Sequence, residues 1–186
     1  MLTLTDVQRL SLVLLRTAIG WHFLYEGYYK LILPAWSRDG QLLAHWSAGG
    51  YLRGATGPLA GVFHHMASST SLLWIDRLMP VALLAIGLSL TLGLVTQLGG
   101  WGAVLCLTMF YLAAIPTAGV PQPGAEGTYL LVNKNLVELA AVLVVLGFRT
   151  GRIAGLDLLI RPKRVAYRVD GAERGTRAER VVESQA

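Results

Sequence analysis

The sequence predicts an all-α integral membrane protein: a four-helix transmembrane bundle with an outer loop cap and a basic cytoplasmic tail. Composition, segment length and the placement of charge predict it. Of the 186 residues, 54% are hydrophobic and only 15% charged, well below the roughly 25% charged of an average soluble domain. Mean hydropathy is +0.52. Four apolar stretches approach the about 20 residues that a membrane span needs. The net charge of +5 gathers behind the last of them. Residues 149–186 hold nine Lys/Arg and five Asp/Glu, whereas the other 148 residues hold seven and six. A basic segment behind an apolar span marks the cytoplasmic side. No nucleic-acid motif accompanies the charge, so no nucleic-acid partner is expected.

The transmembrane domain is expected to cover residues 1–160. Its first span runs from about 10 to 33 and stops before Pro34. It lacks the basic cluster and small-residue cleavage site of a signal peptide and carries Arg16, His22, Glu26 and Lys30, so it reads as a retained span. An outer loop follows at 35–75, with Trp36, Trp46, Tyr51 and Trp74 and a Gly-rich run from Ser47 to Pro58. It is too polar to span, and its aromatic rings suit the headgroup region. The expected role is a structured cap on one end of the bundle.

The second span is expected at 79–98, with Pro80 at its start, where a missing N–H costs nothing, and Gly99-Gly100 as its stop. The third runs over 101–118, with Pro116 near its exit. So short a link makes the two an antiparallel hairpin. A Pro/Gly loop at 119–127 leads to the fourth span at 130–148. Gly20, Gly27, Gly87, Gly93 and Gly102 recur within or beside these helices and allow close backbone approach in lipid. Residues 153–160 are expected at the membrane surface, and the tail at 161–186 has the composition of a disordered segment. The basic tail places the C-terminus, and with four spans the N-terminus too, on the cytoplasmic side of the plasma membrane.

Ionisable residues inside spans face a bundle interior or water, because lipid solvates them poorly. At 100° per residue, Arg16, His22, Glu26 and Lys30 fall within one arc of about 120°. His22, Glu26 and Lys30 form an i, i+4, i+8 ladder. Lys134 and Glu138 repeat the i, i+4 spacing in the fourth span, flanked by Asn133 and Asn135. At 1.5 Å per residue, Lys30 and Lys134 lie roughly 5–6 Å below the outer boundary, and Glu26 and Glu138 roughly 10–12 Å. The expectation is a neutral tetrad of two cations and two carboxylates, either an internal clasp, or a polar site for a ligand head group or a proton path. Arg16, near the inner boundary, reads as an interfacial anchor.

Other chemistries find less support. Cys106, the sole cysteine, excludes a disulfide within the chain and a redox Cys pair. It reads as a small buried hydrophobe. Bis-histidine haem needs a second inward-facing histidine beside His22, but His45, His64 and His65 lie in the outer loop, so haem is not expected. His64-His65 without acidic company makes a weak metal signal, and no metal site is expected. No phosphate loop, nucleophile elbow or metalloprotease motif is present.

The chain resembles the DoxX family, in particular its DoxD-like branch, named for the small subunit of a thiosulfate:quinone oxidoreductase. The first helix carries Arg16-x3-Gly20-x2-Phe23-x3-Gly27-x2-Lys30. The outer loop carries Thr56-Gly57-Pro58 and His65-Met66-Ala67. The second helix carries Trp74-Ile75-Asp76, Ala85-Ile86-Gly87-Leu88 and Gly93-Leu94-Val95-Thr96, and the fourth Val132-Asn133-Lys134-Asn135-Leu136-Val137-Glu138. The likeness covers about residues 7–160. Gln97 stands where similar proteins often carry Arg. The resemblance implies a membrane subunit linked to quinone or sulfur redox chemistry and, if an enzyme, an oxidoreductase subunit. Glu26, Glu138 and His22 are then the candidate catalytic, proton-exchanging groups, and Lys30, Lys134 and Asn135 the candidate quinone-binding groups. Expected partners are the lipid bilayer, a second redox subunit or soluble redox partner, and further copies of the chain. Two rival expectations are a non-catalytic scaffold for a soluble redox partner and a small transporter or proton conduit.

Overall fold

Regular structure is helical throughout the residues described by this computed structural model, 4–32, 46–115 and 131–160, and no strand occurs among them. Long helices α1 (Asp6–Ile32), α4 (Ser71–Leu92), α5 (Thr96–Ala113) and α6 (Lys134–Gly147) pack side by side. Short helices α2 (Gly49–Arg53) and α3 (Ala60–Ser68) form a cap, and a 3₁₀ turn (Thr150–Arg152) with α7 (Asp157–Ile160) closes the opposite end. The tail expected at 161–186 and the Pro/Gly loop at 119–127 lie outside the described residues.

Helix α1 packs chiefly on α4, and α6 on α5. The α4–α5 hairpin joins the two pairs, and a thinner α1–α6 contact completes the ring. Glycine makes the α1–α4 contact close: a Cβ on Gly20 would come within 2.6 Å of the Thr91 amide nitrogen, and one on Gly27 within 2.7 Å of that of Leu84. Ile19, Phe23, Leu83, Leu90, Leu107 and Val142 fill the space between the helices. Two helices, α4 and α5, are long and apolar enough to cross a membrane. Helix α6 has 14 residues, about 21 Å of rise. Helix α1 has 27 and carries the ionisable ladder.

Several expected boundaries shift. The loop at 35–75 holds two helices in its described part, and α4 begins within it at Ser71, eight residues ahead of the expected start. Pro80 therefore sits inside the helix, where it removes the amide that would bond the carbonyl of Asp76. The α4–α5 turn falls at Gly93–Val95 rather than at Gly99-Gly100. Gly93 ends α4 in the left-handed conformation, φ 66°, which glycine adopts without penalty. Gly99 and Gly100 lie in α5, pressed against Ser89 and Leu146. Helix α6 starts at Lys134 because the Asn133 side chain accepts the Leu136 amide at 3.0 Å, an N-cap bond.

Arg16 is a clasp rather than an interfacial anchor. It is 3% exposed, and its Nη1 donates to the carbonyls of Thr150 (3.0 Å) and Ala154 (2.6 Å). Asp157, in turn, accepts the amides of Val95 (2.6 Å) and Thr96 (3.1 Å) at the start of α5. The segment expected at the membrane surface thus ties α1 to the α4–α5 turn.

Candidate functional site

The cap has its own small core of Ala48, Leu52, Ala55, Phe63, Ala67 and Ala113. Polar bonds hold it to the bundle. The Ala48 amide donates to Asp76 Oδ1 at 2.7 Å. The amides of Thr56 and Gly57 donate to the Ala113 carbonyl at 2.9 and 3.2 Å. Gly57 lies so close to the carbonyl of Leu112 that no Cβ fits there. Tyr51 donates its hydroxyl to the Phe110 carbonyl at 3.0 Å. Burial pushes the Tyr51 pKa above the ordinary phenol value, so the hydroxyl remains a donor.

Between the cap core and the bundle core lies a cavity of about 420 Å³, within the roughly 300–1,000 Å³ of small-molecule sites. Its two flanks differ. Helices α1 and α6 supply the polar one: His22, Glu26, Lys30, Lys134 and Asn135. The cap, α4 and α5 supply an apolar one, with Tyr51, Phe63 and Phe110 and the thioethers of Met66, Met79 and Met109. Trp46 closes the edge, with Lys30 Nζ 5.7 Å from its ring centroid, a cation–π distance.

Five of the six candidate residues line this flank and the sixth, Glu138, reaches it through His22, and the pairing differs from the one the depth count suggested. Lys30 bonds Glu26 one turn below it on the same helix. Glu138 reaches across to His22, with Nδ1 2.7 Å from Oε1, one turn deeper on α1 than Glu26. Glu138 stands behind His22 and is not part of the cavity wall. In the neutral ring, an Nδ1 proton donated to Glu138 leaves Nε2 as the acceptor. Lys134 lines the cavity and has no ion pair within 4.0 Å among the described residues. The arrangement offers one uncommitted ammonium, an amide and an imidazole held by a carboxylate, opposite an aromatic wall.

The apolar wall was not singled out from sequence. Met66, Met79 and Met109 sit among ordinary core residues, and only the fold brings them to one surface. Cys106 is a partly buried residue packed on the bundle core. His64 bonds the Ala55 carbonyl at 3.0 Å. No group of three or more His, Cys, Asp or Glu is placed to hold a metal among the described residues. Compared with protein families, with characterised proteins and with solved structures, the chain matches none.

Proposed function

We propose that this chain is a membrane subunit of a quinone-linked redox system, of the DoxX and DoxD-like kind it resembles, and that the capped cavity receives the quinone head group. The observation that carries the reading is the cavity's division into an aromatic flank and a hydrogen-bonding flank. A quinone ring is flat and apolar with two carbonyl acceptors. Its faces suit Tyr51, Phe63 and Phe110, since aromatic rings stack offset or edge to face. Its carbonyls suit Lys134, Asn135 and His22. Reduction to the quinol takes up two electrons and two protons. A redox partner oxidising a sulfur donor such as thiosulfate supplies the electrons. His22 delivers the two protons in turn at the cavity edge, taking one from water between them, and Glu138 holds the ring in position and stabilises its charged form. Glu26 and Lys30 balance each other and keep the flank solvated.

In this reading α1, α4, α5 and α6 all cross the membrane. Large apolar side chains, among them Leu14, Trp21, Leu78, Leu98, Trp101 and Leu105, are turned outward on these helices, which suits lipid. The basic tail lies in the cytoplasm and the cap outside. The test is purification from native membranes in mild detergent. Expected are quinone retained near one per chain, thiosulfate-dependent quinone reduction with the co-purified partner, and loss of the quinone in Lys134→Ala. Absence of both quinone and electron transfer in the presence of native partners overturns the proposal.

A further inference from the structure

A second, smaller pocket of about 130 Å³ opens at the end of the bundle opposite the cap, between the start of α5 and the turn after α6. We infer that it binds a phosphate group, carried by an anionic lipid headgroup or free in solution. The inference does not depend on the quinone reading.

Two arginines, Arg149 and Arg152, line the pocket. Both residues are exposed, and neither has an ion pair within 4.0 Å among the described residues. Arg149 is held in the left-handed region at φ 47°, ψ 51°, which a non-glycine residue adopts at a cost. Thr96 lines the same pocket. It is 1% exposed, and its hydroxyl has no hydrogen-bond partner among the described residues. A buried hydroxyl left unpaired is unfavourable, and turning it toward a ligand oxygen in the pocket would satisfy it.

The pocket's carboxylate does not compete for the two cations. Asp157 accepts the Val95 and Thr96 amides and lies within electrostatic reach of buried Arg16. Gln97 is committed through its side-chain amide to the Leu146 carbonyl at 3.3 Å. What remains is two planar, permanently charged donors and one hydroxyl around a space of single-anion size. That set matches a tetrahedral oxyanion, since guanidinium pairs with phosphate oxygens in a bidentate fork. The pocket also lies where α4, α5 and α6 end, the level of lipid headgroups if these helices cross a membrane.

The full-length chain in a neutral detergent serves as the test. Its melting temperature is followed during titration with phosphatidylglycerol, with phosphatidylcholine and with inorganic phosphate against chloride of equal ionic strength. The variants are Arg149→Gln/Arg152→Gln and Thr96→Val. The basic tail is present in every sample, so its own attraction for anionic lipid cancels in the comparison. The unmodified chain is expected to gain stability with phosphatidylglycerol beyond phosphatidylcholine, or with phosphate beyond chloride. The first pattern identifies a headgroup as the source and the second a free anion. Half-saturation is expected to move upward at least about tenfold in the double variant, and about tenfold in Thr96→Val, which keeps both cations but loses a hydrogen bond to a charged ligand. Equal titrations in the double variant and the unmodified chain overturn the site. Unchanged affinity in Thr96→Val overturns it as well, leaving only diffuse charge attraction.

Discussion

Replacing Arg16 by Met is expected to loosen one whole end of the molecule. The guanidinium is 3% exposed and donates to the carbonyls of Thr150 and Ala154 at 3.0 and 2.6 Å. These two losses are not equal. The Thr150 carbonyl also accepts the amides of Ile153 (3.0 Å) and Ala154 (3.3 Å), so it keeps partners in the variant. The Ala154 carbonyl has no hydrogen-bond partner but Arg16 among the described residues. A hydrogen bond to a charged group contributes about 1.5–3 kcal/mol. Loss of one such bond in full and a second in part is offset by removing a cation that was costly to bury. The net expectation is a destabilisation of about 2–4 kcal/mol. For a chain of this size that corresponds to about 5–15 °C in Tm. Cys106, the only thiol and packed on the bundle core, permits the assay directly: a thiol-reactive fluorophore reports unfolding during a temperature ramp in detergent. Faster hydrogen exchange at the Val95 and Thr96 amides should accompany it, because Asp157 loses its anchored setting. A Tm within 1 °C of the unmodified chain refutes the clasp.

Three further outcomes follow from the cap and the polar flank. Asp76→Ala removes the acceptor of the Ala48 amide and is expected to speed proteolysis within residues 49–68 at least severalfold, with a smaller change in global Tm. Gly57→Ala drives a Cβ into the Leu112 carbonyl and is expected to cost about 2 kcal/mol or more, visible as a lower Tm. A double-mutant cycle of His22→Gln and Glu138→Gln, read as affinity for a soluble quinone analogue, should show a coupling of about 1 kcal/mol, or roughly fivefold, a value kept modest because His22 is half-exposed. Strict additivity in that cycle would show that Glu138 does not act through His22.

The helices were legible in the sequence because hydropathy reports burial or lipid contact directly, and the glycines at 20, 27 and 87 mark close approach whatever the register. Their ends were not. Pro80 and Gly99-Gly100 have the chemistry of a start and a stop, but tertiary packing uses Pro80 inside α4 and the glycines as smooth surface for Ser89 and Leu146. The true stop, Gly93, was visible only as one more glycine. Helical spacing and depth placed His22, Glu26, Lys30, Lys134, Asn135 and Glu138 near one another, and five of them line one flank of the cavity. Their pairing was not legible. A depth count assumes that the outer end of α1 and the start of α6 lie at one level and says nothing of how the two helices shift or rotate against each other. In the folded chain Glu138 meets His22, one turn deeper on α1 than Glu26. Arg16 fell in the same arc as the other charges. Its partners, more than 130 residues away, could be found only by folding the segment after α6 back onto the α4–α5 turn.

The ring of helices is mechanically uneven. Continuous chain joins α4 to α5, the cap is bolted to both through Asp76, Phe110 and Ala113, and the Arg16 clasp stiffens the far end. The α1–α6 seam is the thin one, and near the cavity, among the described residues, the His22–Glu138 bond stitches it. A bulky guest entering sideways would meet least resistance there, and it would have to part that stitch to pass. The residue pair that would handle the proton would therefore also act as the latch on the door.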